Sequence, residues 1–235
     1  MSIACNVVFA ALVAAFGVRR LAISLSASGR DDGGRVYAEE RRSLFSAMAA
    51  AGKKGGTLFV GDSLTDRGEW AEMFGEGVAN RGVAGETTAD VLARAPDLAA
   101  QSPARVFLMV GTNDLIAGEP IERIVPRYVA IVEALRSGAP SAKLVCQSVP
   151  PIREELLKRP ITNASIAALN EALRGPVAER GCEWADVRSA LLDGEGALDR
   201  RFTLDGVHLT GEGYLAWARA LEPWITGPPG SPRGR

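Results

Sequence analysis

The stretch Phe59-Val60-Gly61-Asp62-Ser63-Leu64-Thr65 carries a hydroxyl where chemistry could use one. A β-rich apolar run, Thr57 to Val60, stops at Gly61, and Ser63 follows. In a parallel sheet such a serine is left at the carboxyl end of its strand, the edge where open α/β sheets bind ligands. A serine hydroxyl is a weak nucleophile until a base takes its proton. The chain has one histidine, His208, so any imidazole base is that residue. Asp205 lies three residues before it with Gly206 between, so its carboxylate can curl back to one ring nitrogen. That bond fixes the tautomer and stabilises the imidazolium, leaving the other nitrogen to face Ser63. The competing reading makes His208 a cap or packing residue at the start of the last helix. Asp205 and the clusters upstream favour chemistry.

Acyl transfer also needs donors aimed at a developing oxyanion. Two more polar clusters follow apolar runs directly: Asn80-Arg81-Gly82 and Gly111-Thr112-Asn113-Asp114. The backbone N–H groups of Ser63 and Gly82, with the side-chain amide of Asn113, form the natural oxyanion set. Gly82 suits it because a missing side chain lets its N–H approach closely.

These clusters need a scaffold that brings them to one edge. Strands are expected at Thr57 to Val60, Val78 to Gly82, Arg105 to Val110, Lys143 to Val149 and within Gly181 to Val187. Helices are expected over Tyr37 to Ala51, Gly68 to Phe74, Ile121 to Ser137 and Gly211 to Trp224. Another should run from a cap at Thr87 or Thr88 through Arg94, with Pro96 ending it. A helix over Asn163 to Arg174 should end or kink at Gly175-Pro176. Strand–helix alternation of this kind implies a parallel sheet with helices on both faces.

At 235 residues, 47% hydrophobic and 23% charged, the chain can bury one full core. A net charge of −1 leaves no basic field for nucleic acid. The cysteines, Cys5, Cys146 and Cys182, are odd in number and scattered, which excludes a disulfide framework and a CxxC zinc pair. Cys146 reads as a small core residue. Residues 1–23 form an apolar N-terminal segment whose run, Ile3 to Val18, falls short of the ~20 residues of a bilayer span. Membrane association through residues 3–18 and a packed amphipathic helix both remain open, and the compartment is unassigned. Residues 24–35 read as a linker, 36–225 as the folded domain, and 226–235 (GPPGSPRGR and its preceding Thr) as a disordered tail.

Four clusters in this order resemble the SGNH (GDSL) hydrolase superfamily. They are Ser63 in GDSLT, Gly82 in NRGVAGETT, Asn113 in GTND, and Asp205 with His208 in DGVHLT. The resemblance runs from about Gly56 to Trp224, and no block residue is missing. The fuller strings are similar to the bacterial branch near the platelet-activating factor acetylhydrolases and sialate O-acetylesterase-like enzymes. The resemblance implies a flavodoxin-like three-layer α/β/α sandwich and a serine esterase acting on small ester substrates, without cofactor or metal. The branch implies an acetyl or other short acyl group. A thioesterase, lysophospholipase or acyltransferase could use the same site. A non-catalytic binding module would be expected to lack Ser63, Asn113 or His208. The glycines around Gly82 and Gly85 fit neither GxGxxG nor a P-loop.

Other residues support weaker readings. Asp62 either orients the nucleophile loop or forms its turn, and Asp114 braces its own turn. Trp70, Ile116, Val149 and Val207 could line the acyl pocket or be ordinary core. Arg81 could bind a substrate anion or a structural carboxylate.

Overall fold

Five short strands, three of them mainly apolar, pair only in parallel, in the order β2-β1-β3-β4-β5. They are β1 (Thr57–Gly61), β2 (Val78–Gly82), β3 (Arg105–Met109), β4 (Lys143–Gln147) and β5 (Glu183–Ala185). The computed structural model describes residues 33–52 and 55–225. The apolar segment 3–18, Cys5, most of the linker and the tail lie outside the described residues. Helix α1 covers residues 33–50, so it begins inside the stretch read as linker. Residues 41–225 form one compact unit that holds the whole sheet.

Side chains alternate across each strand, so the sheet carries two cores. On one face Leu58, Val60, Val106, Leu108, Leu144 and Cys146 pack with α4 (Thr88–Ala100), α6 (Ile121–Gly138) and α7 (Asn163–Glu179). On the other, Phe59, Phe107, Met109 and Val145 pack with α3 (Trp70–Phe74) and α8 (Gly211–Ile225). Two short helices, α2 (Ser63–Asp66) and α5 (Thr112–Ile116), start directly beyond β1 and β3. This is the flavodoxin-like strand order, with its switch point between β1 and β3.

Two helix ends differ from the sequence expectation. Helix α4 runs through Pro96, and α7 runs through Gly175-Pro176 to Glu179. A mid-helix proline costs about 3 kcal/mol in isolation. Here burial on both sides of it outweighs that cost. Ala95, Leu98 and Ala99 are fully buried around Pro96, as are Leu173 and Val177 around Pro176. Both helices also start on a capping box, Thr87 with Asp90 and Thr162 with Ser165.

Candidate active site

β1 delivers the turn that carries Ser63. Gly61 has no room for a side chain: a Cβ there would lie 2.1 Å from the Met109 carbonyl oxygen. Asp62 caps α2, its Oδ1 accepting the Leu64 N–H at 3.0 Å, and Ser63 is the first helical residue. The turn is then tied down from outside. The Asn80 amide donates to the carbonyls of Thr65, Asp66 and Gly68 at 2.9–3.0 Å. Trp70 Nε1 donates to the Thr65 carbonyl at 2.8 Å, and Tyr214 Oη donates to the Leu64 carbonyl at 2.8 Å.

His208 arrives on the loop before α8. His208 Nε2 lies 3.0 Å from Ser63 Oγ, and its Nδ1 lies 2.6 Å from Asp205 Oδ2. Asp205 Oδ1 also accepts the N–H groups of Val207 at 2.9 Å and His208 at 2.8 Å. Partial burial opposes ionisation of this carboxyl. The imidazole bond and the two backbone bonds outweigh it and hold the pKa down at about 2. The carboxylate is therefore charged at any working pH and fixes the ring with Nδ1–H toward itself. Nε2 is left to accept the serine proton.

On β3's continuation, Asn113 Nδ2 donates one hydrogen to the Glu86 carbonyl at 2.9 Å and keeps a second. Gly82 departs from its expected role. Its N–H donates to Asn80 Oδ1 at 2.8 Å and so is unavailable to a ligand. Gly82 is required for packing, since a Cβ would lie 2.2 Å from the Asp66 amide nitrogen. Gly85 takes its place as candidate donor, a residue the sequence reading passed over. Its φ is +83°, and among the described residues its N–H has no acceptor. Its neighbours bind both sides of the site, Ala84 N–H to Asp66 Oδ2 at 3.2 Å and Glu86 O to Asn113. The signal in the sequence was a second glycine just ahead of the Thr87 cap. Glu86 itself is buried and ion-paired to Arg94 and Arg42, each at 2.8 Å, which pins this loop.

The profile of the GDSL-like Lipase/Acylhydrolase family matches residues 59–216, which hold Ser63, Gly85, Asn113, Asp205 and His208. The chain belongs to this family. GDSL-like acylhydrolases are ester hydrolases, and the substrate class is accordingly an ester. The chain is similar to the platelet-activating factor acetylhydrolase IB subunit alpha2 of Rattus norvegicus, 28% identical over 181 residues, covering 74% of this chain and 77% of that one. Its fold is shared with a Streptococcus pneumonia structure ascribed to a platelet activating factor (TM-score 0.79, 23% identity, 86% and 99% of the two chains). It is shared too with a catalytic mutant of an acetylxylan esterase from Geobacillus stearothermophilus (TM-score 0.61, 20% identity, 74% and 96%). Among the described residues no helix is long and apolar enough to cross a membrane.

The remaining expected site residues of this acylhydrolase divide. Ile116 and Val207 are half-buried and border the core, whereas Val149 is fully buried. Trp70 is 1% exposed and stacks on Phe59, so it is core rather than pocket wall. Among the described residues Arg81 has no carboxylate partner. Its Nε donates to Gln101 Oε1 at 3.0 Å, and its guanidinium lies over the Phe45 ring. Asp114 reaches beyond its own turn to α4, accepting from the Thr88 N–H at 2.9 Å and hydroxyl at 2.6 Å.

Two measurable consequences follow from these contacts. Asn113→Ala removes the amide expected to face an oxyanion and should lower kcat on p-nitrophenyl acetate by about 10²–10³-fold with little change in KM. Asp62 is fully buried. Burial, reinforced by the charges of Asp114 and Glu86, outweighs the Leu64 N–H bond and raises its pKa to about 7. An acid whose native pKa is raised stabilises the fold below its unfolded pKa and loses that contribution as pH rises through the native value. Asp62→Asn, which keeps the capping oxygen, should therefore gain on wild type from about pH 4 to pH 7 and hold a constant margin above. The gain is up to about 1.4 kcal/mol per pH unit inside that window, read from denaturant midpoints.

Proposed function

We propose that this acylhydrolase cleaves short-chain esters, acetyl esters foremost, through an acyl-enzyme on Ser63. The observation that carries the reading is the unbroken relay from Asp205 through His208 to Ser63 Oγ. His208 Nε2 takes the hydroxyl proton as Oγ attacks the ester carbonyl. The N–H of Ser63, the second Asn113 hydrogen and the Gly85 N–H receive the oxyanion. Collapse expels the alcohol, which takes its proton from His208. Water, deprotonated by the same ring, then releases the acid. The acetyl preference is supported by the names of two relatives, an acetylhydrolase and an acetylxylan esterase.

The test is a fluorophosphonate probe with a p-nitrophenyl ester series from acetyl to octanoyl. The expected result is covalent labelling at Ser63, lost in His208→Ala, and kcat/KM falling steeply beyond the shortest acyl groups. Labelling elsewhere would remove the nucleophile assignment. A maximum at octanoyl would instead favour a lysophospholipase- or thioesterase-like substrate.

A further inference from the structure

The loop that carries Gly85 is held from outside the residues that the family profile covers. Residues 83–86 link β2 to the start of α4, and two carboxylates fix them. Asp66, on the same short helix as Ser63, accepts the Ala84 N–H on Oδ2 at 3.2 Å. Glu86 accepts Arg94 Nε on Oε2 at 2.8 Å, while its carbonyl accepts the Asn113 amide at 2.9 Å. Arg94 also donates to the Arg81 carbonyl at 2.8 Å, which carries the tie to the end of β2.

Each carboxylate places its other oxygen on an arginine of α1. Arg41 Nη2 lies 2.9 Å from Asp66 Oδ1 and donates to the Gly82 carbonyl at 3.2 Å. Arg42 Nε donates to Glu86 Oε1 at 2.8 Å. The two arginines belong to the same compact unit as the sheet, yet they precede the matched residues 59–216. The acid side chains are 6% and 0% exposed, against 24% for Arg41 and 38% for Arg42. A charge-assisted bond of this kind is short, directional and roughly twice as strong as a neutral one. Removing one partner leaves a buried charge uncompensated. The arginines thus set where the two acids sit, the acids set residues 84 and 86, and Gly85 lies between those.

We propose that Arg41 and Arg42 are positioning residues for acyl transfer, holding the Gly85 N–H and the Asn113 amide where the oxyanion forms beside Ser63. The inference rests on the esterase reading above and on Gly85 as a donor. Both arginines act through Asp66 and Glu86 rather than by touching the ester. A donor misplaced by about 1 Å forfeits much of its bond to the transition state. Binding of the ground-state ester depends far less on it, so the effect belongs in kcat.

The experiment compares the full chain with its Arg41→Gln, Arg42→Gln and Arg42→Lys variants on p-nitrophenyl acetate and p-nitrophenyl thionoacetate. Sulfur is larger than oxygen and a poorer acceptor, so well-placed donors favour the oxygen ester. The ratio of the two kcat/KM values cancels the amount of active protein, and partial unfolding does not move it. Each glutamine variant should lower kcat on the oxygen ester about tenfold or more, with KM little changed and the oxygen-to-sulfur ratio reduced in step. Arg42→Lys keeps a cation within reach of Glu86 and should recover most of both. A wild-type ratio in both glutamine variants overturns the proposal even if kcat falls, since the arginines would then support only the fold. A lysine variant as impaired as the glutamine one overturns the action of Arg42 through the Glu86 carboxylate. If a glutamine variant yields no folded protein, Arg41→Lys, which gives up one of two bonds, is judged by the same ratio. Failure of the underlying reading shows in the wild type: no hydrolysis and no fluorophosphonate label on Ser63 would refute the esterase and this proposal together.

Discussion

Ser63→Ala should lower kcat on p-nitrophenyl acetate by about 10⁴-fold or more while leaving the denaturant midpoint close to wild type. The size follows from removing the nucleophile of a unit whose members act together. The stability expectation follows from the local structure. The Ser63 hydroxyl bonds only to His208 Nε2 among the described contacts, and α2 is capped by Asp62 rather than by Ser63. Alanine also keeps the backbone N–H assigned to the oxyanion, so some activity over water should persist. Steady-state kinetics on variant protein that takes up no fluorophosphonate checks it. Wild-type kcat in the alanine variant would mean that another group performs the attack.

Trp70→Ala should have the largest effect on stability, about 3–5 kcal/mol, against a total of about 5–15 kcal/mol for a domain. Trp70 stacks on Phe59 at 4.3 Å and meets Trp217 edge-on at 5.1 Å, and Phe59 in turn stacks on Phe107 at 4.6 Å. Removing the indole opens a cavity beneath β1 and frees the Thr65 carbonyl from its Nε1 donor. Trp70→Phe keeps most of the stack and loses that donor, so it should cost less, about 1–3 kcal/mol. Guanidinium unfolding separates the two. A pocket-wall tryptophan would instead change KM among esters and leave the unfolding midpoint in place.

The strands and their terminal clusters were legible because buried parallel strands are short apolar runs, and catalytic groups must lie beyond their ends. Ser63 and Asn113 fall there, and Asp205 with His208 lies just ahead of the last helix. What stayed hidden was direction. Spacing does not say that the Gly82 N–H turns toward Asn80, that Arg81 folds back onto Gln101 and Phe45, or that Asp114 reaches Thr88. Arg81 and Asp114 are turned by partners distant in sequence, and Asn80, two residues from Gly82, is itself held by the carbonyls of Thr65, Asp66 and Gly68. Helix ends failed for a related reason. Pro96 and Pro176 are local stop signals, and they were overruled by neighbours that only the folded chain supplies.

Asp205 grips its own loop as well as the imidazole. One carboxylate oxygen holds the amides of residues 207 and 208, and the other holds the ring. Acid, backbone and base are therefore linked into one arm by three hydrogen bonds within residues 205–208. The soft coordinate left to the catalytic assembly is the gap between this arm and the hydroxyl anchored beyond β1. Loop breathing would then tune the rate through one distance, with the ring's tautomer and orientation preserved throughout.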